Sequence, residues 1–211
     1  MNFLQKVDDA RTQIKEGISK YPKIILGGSF GKDSMVLLHL ALGIYPNIPV
    51  FSILSNTEFP ETYSFIREMV IRYHLNYTEY RYEQVEGEKC CGRPKVEKTI
   101  LALQNYDAWI SGVRSTEGIT RANFQPVEEK AGLIKINPIL FFTEVDVWRY
   151  TALYQVPVNP MYAKGYRSLS CSRCSSKEVD ETESERAGRW KDTPDAGGEC
   201  GIHTQPLRKP K

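Results

Sequence analysis

The run Ile24-Ile25-Leu26-Gly27-Gly28-Ser29-Phe30-Gly31-Lys32-Asp33-Ser34 constrains the fold more than any other part of the chain. A short apolar run, a glycine-rich turn and then Met35-Val36-Leu37-Leu38-His39-Leu40 read as strand, tight turn and helix. Such a turn aims several backbone N–H groups at one point. The following helix adds the partial positive charge of its N-terminus, so an anion is favoured there. The competing reading is an ordinary strand-to-helix turn that uses glycine only for tight geometry. The loop lacks the GK[ST] ending of a Walker A sequence.

The rest of the chain repeats this alternation. Leu4, Val7, Ile14 and Ile18 recur near helical spacing at the start, and Val50–Leu54 reads as a second strand. A helix is expected from Glu61 to about Leu75, led in by Pro60. Strands are expected at Tyr77–Tyr82, Ala108–Gly112 and Leu133–Ile136, with a helix near Lys95–Leu103. Thr143 is an N-cap with Asp146 three residues on, ahead of Val145, Val147, Trp148 and Tyr150. Strands and helices in alternation predict an α/β fold, a doubly wound and mostly parallel sheet covered on both faces. After Asn159-Pro160 the character changes: 165–211 is rich in Gly, Ser, Cys and charge without periodicity. Two parts are therefore expected, an α/β nucleotide-binding domain over 1–164 and a C-terminal segment over 165–211 ordered through docking, a ligand or a metal.

Composition removes several function classes. With 28 basic and 26 acidic side chains the net charge of +2 is too small to argue for nucleic acid or a membrane surface. No apolar run approaches a membrane span, and the first residues lack a signal-peptide core, so a cytoplasmic location is expected. Five cysteines in that compartment point to metal binding or catalysis rather than disulfides. They fall as Cys90-Cys91, Cys171-x-x-Cys174 and Cys200. The polar neighbours of Cys90 and Cys91 suit a loop better than a core, which favours a four-thiolate site; spacing leaves zinc and iron–sulfur both open. Cys200, flanked by Gly198 and Gly201, sits on an arm suited to present a nucleophile, with His203 near enough in sequence to affect the thiol. Arg114 and Arg121 follow the strand that ends at Gly112, where α/β sites form, and their forks suit a sulfate or phosphate. Solvated surface arginines are the plainer reading, and Arg186, Arg189 and Trp190 carry the same two readings.

The glycine loop resembles the pyrophosphate loop (SGGxDS) of the adenine-nucleotide alpha-hydrolase, or PP-loop, superfamily, with Phe30 in place of one of its two glycines. That resemblance implies a Rossmann-like sheet of the PP-loop type. The further blocks NTEFPETY at 56–63, CCGRPKVE at 90–97, WISGVRSTEGITR at 109–121 and KINPILFFTEVDVWRY at 135–150 follow in order. YRSLSCSRC at 166–174, ERAGRW at 185–190 and ECGIH at 199–203 complete the series. Together they resemble the PAPS/APS reductase family (phosphoadenylyl sulfate and adenylyl sulfate), and within it the iron–sulfur assimilatory APS reductases.

The resemblance implies that Cys90, Cys91, Cys171 and Cys174 hold a [4Fe–4S] cluster. It implies that Cys200 attacks the sulfur of the sulfonucleotide, giving an S-sulfonate and AMP, and that thioredoxin or a glutaredoxin-like reductant then frees sulfite. Lys95 matches a family lysine between cluster and substrate. Arg114, Arg121, Arg186 and Arg189 match phosphate- and sulfate-binding positions. Ser29, Phe30 and Gly31, with Lys32, Asp33 and Ser34, lie along the nucleotide. The substrate implied is APS, with PAPS as the alternative, in sulfate assimilation.

Two features depart from the family pattern. Lys32-Asp33-Ser34 is closer to ATP-using members of the superfamily, and Gly197-Gly198 precedes ECGIH where a lysine and a small hydroxyl residue are common. An ATP-dependent sulfur-transfer or adenylating enzyme is therefore the alternative. A non-catalytic zinc-binding interaction module is the rival from another class.

Overall fold

The computed structural model describes residues 1–84, 92–177, 183–191 and 198–207. Its strands are β1 (Ile24–Gly27), β2 (Val50–Ser55), β3 (Tyr77–Tyr82), β4 (Ala108–Ile110), β5 (Val127–Lys130) and β6 (Leu133–Ile136). They form one sheet in the order β3-β2-β1-β4-β6-β5. Every pairing is parallel except β5 with β6. The helices are α1 (Phe3–Lys20), α2 (Lys32–Leu42), α3 (Pro60–Arg72), α4 (Arg93–Leu103), α5 (Glu144–Tyr154) and α6 (Gly201–Thr204).

The central strands are buried on both faces, as continuous Ile, Val and Leu runs require of a parallel sheet. One face carries Leu26, Val50 and Ile110 against apolar residues of α1, α2, α3 and α5. The opposite face carries Ile25, Phe51 and Trp109 against Val96, Ala102 and Leu103 of α4 and Leu207. The α/β, PP-loop-type sheet expected from the sequence is thus the fold observed.

Local chemistry sets the element ends. Asn2 and Gln5 form a capping box that starts α1. Its buried stripe is Phe3, Val7, Ala10, Ile14 and Gly17, while Leu4, expected on that face, is 64% exposed. Gly17 permits close approach: a β-carbon there would stand 2.6 Å from Ile136 Cδ1, which would have to shift. Thr143 and Asp146 form the expected capping box of α5, and Lys6 reaches Asp146 at 2.6 Å, tying α1 to it. Val147 and Tyr150 face inward, whereas Val145 and Trp148 do not. The expected helix from Glu61 to Leu75 is observed as Pro60–Arg72, and the strand expected to reach Gly112 ends at Ile110.

One strand had no apolar signal. Val127-Glu128-Glu129-Lys130 is a charged edge strand that turns back through Ala131 and Gly132, both at positive φ, onto β6. Charge on an edge strand discourages pairing with another chain, and it also hides the strand from an apolar-run search. The segment after 165 matches its lack of periodicity. Among its described residues it contains a short 3-10 turn at Ser172–Cys174, an isolated bridge between Ser175 and Arg189, and the four-residue α6.

The connectivity decides where a ligand can sit. From β1 the chain winds outward to β2 and β3, then returns to the other side of β1 as β4. The connections that leave β1 and β4 therefore diverge, opening a crevice at the carboxyl ends of these strands. Gly28, Ser29, Gly31 and Ser111–Val113 border it.

Candidate active site

The crevice is lined from both parts of the chain. Its floor is Gly27, Gly28 and Ser29 with Ser111 and Gly112. Gly112 packs beside the start of the loop helix, where a β-carbon would stand 3.4 Å from the backbone of Ser34, at ordinary contact distance. Ser34 Oγ closes the glycine loop on itself by accepting from the N–H groups of Ser29 (3.0 Å) and Phe30 (3.3 Å). Lys95 of α4, Arg121, Arg186, Arg189, Cys200 and His203 face the same space. Two buried atoms of this lining, Ser111 Oγ and His203 Nδ1, have no hydrogen-bond partner among the described residues. Orphaned polar atoms in a cleft are groups that a polar ligand can satisfy.

The residues expected at the site divide into two groups. Ser29, Gly31, Lys32, Asp33, Ser34, Lys95, Arg121, Arg186, Arg189, Cys200 and His203 line the crevice; Phe30, Arg114 and Trp190 do not. Phe30 adopts φ +54° and turns its ring into the core beneath the loop, edge-on to Tyr77 at 5.9 Å. Arg114 is fully buried and is committed to Asp33 (2.6 Å) and Glu185 (2.5 Å), which makes it a clamp between the loop helix and the C-terminal segment. Trp190 packs against Cys171, Cys174 and Cys200, with the Arg189 guanidinium 4.6 Å from its ring centroid.

Carboxylates that the sequence reading passed over organise the cations. Arg121 pairs with Glu117 and Glu199, and Arg186 with Glu199 at 3.1 Å. Glu199 Oε1 also accepts the backbone N–H of Cys200 at 2.8 Å, so one carboxylate seats the cysteine arm on two arginines. Burial alone would raise the Glu199 carboxyl; the guanidiniums of Arg121 and Arg186 outweigh it and hold the group well below the usual range. Arg186 is pushed down to about 10 by burial and by the like charges of Arg121 and Arg189. Cations crowded in this way, even with Glu199 among them, favour a further anion. The spacing Arg114-x-x-Glu117-x-x-x-Arg121, with Glu185 and Glu199 beside the chosen Arg186 and Cys200, was the available signal for these partners.

His203 stacks on Trp109, with 5.9 Å between ring centroids and 13° between planes. Burial, with Lys135 and Arg121 nearby, drives its pKa well below the ordinary value, so the imidazole is neutral near pH 7. It therefore supplies no positive charge to a neighbouring thiol. Glu58, also missed, lines the crevice and is shifted upward by burial, with Lys95 opposing the shift.

Cys171 and Cys174 are buried with their sulfurs 3.2 Å apart, and Cys200 belongs to the same small apolar cluster. Two adjacent buried thiols are half of a four-thiolate donor set and fit it. Cys90 and Cys91, the other expected ligands, lie outside the described residues, among which no group of three or more metal-binding side chains is assembled. No helix among the described residues is long and apolar enough to cross a membrane.

Comparison with known proteins bears on the same features. An adenosine 5'-phosphosulfate reductase of Halalkalibacterium halodurans is 33% identical over 199 residues, covering 86% of this chain and 85% of that protein. A phosphoadenylyl-sulfate reductase of Candida auris shares the fold, with a TM-score of 0.68 and 20% identity over 80% of this chain and 90% of its own. The fold is shared equally with Candida glabrata FMN adenylyltransferase in complex with FAD and inorganic pyrophosphate, at a TM-score of 0.70 and 18% identity, covering 91% and 76%. The family described as the phosphoadenosine phosphosulfate reductase domain matches residues 23–177, from the first strand through the Cys171–Cys174 pair. On that span, and on the likeness to a reductase over 86% of the chain, the chain belongs to the phosphoadenosine phosphosulfate reductase family.

Proposed function

We propose that this chain reduces a sulfonucleotide, APS in preference to PAPS, to sulfite and AMP, with Cys200 as the nucleophile. The observation that carries the reading is the crevice that Cys200 shares with the glycine loop and with Arg121, Arg186 and Arg189. A thiolate approaching a sulfur that bears anionic oxygens needs cations around it, and the same cations stabilise the phosphate charge of the departing nucleotide. In the first step the Cys200 thiolate forms an S–S bond to the sulfuryl sulfur. The S–O bond to the phosphate breaks, and AMP leaves with that electron pair. In the second step a thiolate of an external dithiol, of the thioredoxin or glutaredoxin type, attacks Cys200 Sγ and sulfite leaves. The dithiol's second thiol then displaces Cys200, so the dithiol ends as a disulfide and Cys200 as a thiol.

Within this reading Lys95 and the three crevice arginines hold the substrate's oxyanions, and Glu199 seats the arm that carries Cys200. Cys171 and Cys174 would hold a [4Fe–4S] cluster together with Cys90 and Cys91. When bound, that group supplies a covalent staple between the two cysteine-bearing segments. The nucleotide-binding part over 1–164 and the cysteine-rich part over 165–211 divide the work, the first binding AMP and the second carrying thiol chemistry.

A second reading, an ATP-dependent sulfur-transfer or adenylating enzyme, is favoured by Lys32-Asp33-Ser34 and by the fold shared with an adenylyltransferase that holds pyrophosphate. The test is anaerobic purification, iron and sulfide analysis, and sulfite release from APS and PAPS with thioredoxin. Thioredoxin-dependent sulfite supports the reductase, and the two rates name the substrate. Iron without sulfite, together with pyrophosphate release from ATP, supports the second reading; a colourless zinc protein inactive in both assays is the interaction module.

A further inference from the structure

The helix that follows the glycine loop begins with an N–H that already has a partner. Lys32 N donates to the hydroxyl of Tyr162 at 2.8 Å, across 130 residues of chain. That oxygen lies 3.0 Å from where a β-carbon on Gly31 would stand, so the phenol rests directly on the loop. Its ring is held edge-on by Trp148, with centroids 5.6 Å apart. The loop's own cation is engaged as well. Lys32 Nζ sits 3.0 Å from Glu185 and 3.7 Å from Glu144, donates to the Arg167 carbonyl at 2.7 Å, and lies 5.4 Å from the Tyr162 ring centroid. Arg114, the next cation, is held by Asp33 and Glu185.

A pyrophosphate on a loop of this kind is bound by its backbone N–H groups, the helix N-terminus and a nearby cation. Here the first N–H of the helix, the lysine and the arginine all have internal partners, and three carboxylates stand close behind them. We propose that Tyr162 shuts pyrophosphate out of the loop, so that the crevice takes a nucleotide with one phosphoryl group and rejects a nucleoside triphosphate. This assignment rests on reading the crevice as the site of a sulfonucleotide's AMP portion.

The test is calorimetric titration of the anaerobically purified protein with AMP, ATP and inorganic pyrophosphate. The wild-type protein is expected to bind AMP at least tenfold more tightly than ATP and to give no binding heat with pyrophosphate. Tyr162→Phe removes the acceptor and Tyr162→Ala also removes the ring. The ratio of ATP to AMP affinity is expected to rise at least tenfold in the alanine variant, and by less in the phenylalanine variant. Wild-type protein that binds ATP as tightly as AMP overturns the assignment without any variant. So does an alanine variant, folded by circular dichroism, that keeps the wild-type ratio. Sulfite release from APS is scored on the same preparation. No sulfite, with AMP still preferred tenfold, sinks the reductase reading and supports the role of Tyr162. Sulfite with ATP bound as tightly as AMP sinks the role of Tyr162 alone.

Discussion

The sheet body and the C-terminal segment bury different chemistry. In the body the fully covered side chains are mostly aliphatic and aromatic, among them Ile14, Leu26, Leu37, Leu38 and Ile110. Beyond residue 165 they are Cys171, Cys174, Glu185, Arg186, Arg189, Trp190, Glu199 and Cys200, and Leu207 is the one buried aliphatic side chain among the described residues. Apolar burial is non-directional, so packing of the body rests on area removed from water rather than on particular partners. Buried charges are stable only when each has its partner, so the second region depends on ion pairs to the body such as Glu185 with Arg114 and Glu199 with Arg121.

The largest expected effect separates chemistry from folding. Cys200→Ser should lower sulfite release by about a thousandfold or more, as loss of a nucleophile does. Iron content should stay at the wild-type level, because Cys200 is not assigned to the cluster. Normal turnover in that variant would remove the arm from the mechanism.

The next pair sets the two regions against each other. Leu37 is fully buried in α2, and Leu37→Ala should cost about 2–5 kcal/mol, lowering Tm by roughly 5–15 °C while iron is retained. Cys174→Ala should lose iron and lower Tm by about 10 °C, since a metal bound only in the folded chain contributes directly to stability. Full iron in the cysteine variant, or iron lost from the leucine variant, would break the contrast.

Two arginines assigned one role by the sequence should now behave differently. Arg114→Met takes the guanidinium from half-buried Asp33 and leaves buried Glu185 with Lys32 alone, at a cost of about 3–5 kcal/mol. Arg186→Met should leave the fold nearer wild type and raise KM for the sulfonucleotide by about tenfold or more. Denaturant melts and steady-state kinetics on both variants measure the split, and equal stability losses would erase it.

What the sequence disclosed follows the same division. Ile24–Leu26, Val50–Leu54 and Leu133–Ile136 announce themselves as strands because burial on both faces demands unbroken apolar runs. The glycine loop and the Thr143 cap are equally plain, being backbone features written in particular residue types. Val127–Lys130 stayed hidden because an edge strand is held by its neighbour's backbone rather than by apolar side chains. Phe30 and Arg114, which the resemblance places along the substrate, do not line the crevice, and chain position near a loop does not reveal which way a side chain turns. Glu185 and Glu199 escaped notice because an ion pair across 70 or more residues, such as Arg114 with Glu185 or Arg121 with Glu199, leaves no local pattern, whereas Glu117 stands four residues from Arg121 and was open to a local reading.

The smallest expected effect tests whether the arm is docked by charge. Glu199 lies below the usual carboxylate range when folded, because Arg121 and Arg186 outweigh the effect of burial, against an ordinary value of 4.5. A depressed folded pKa means that the unfolded chain takes up the proton first as the medium turns acid. The stability from this pair is therefore complete above about pH 4.5 and is lost as pH falls from there toward the lower folded value. Glu199→Gln keeps the shape and removes the charge, so Tm of the wild type should exceed that of the variant by a constant margin between pH 8 and pH 5. Below about pH 4.5 the margin should shrink, because only the wild type has a carboxylate to protonate. Glu117 also lies below its ordinary range, burial opposing and Arg121 lowering it, but it is present in both proteins and leaves the comparison to Glu199. A margin that holds unchanged to pH 3.5 would mean that packing around Trp190 and Cys200, rather than the Glu199 charge, seats the arm.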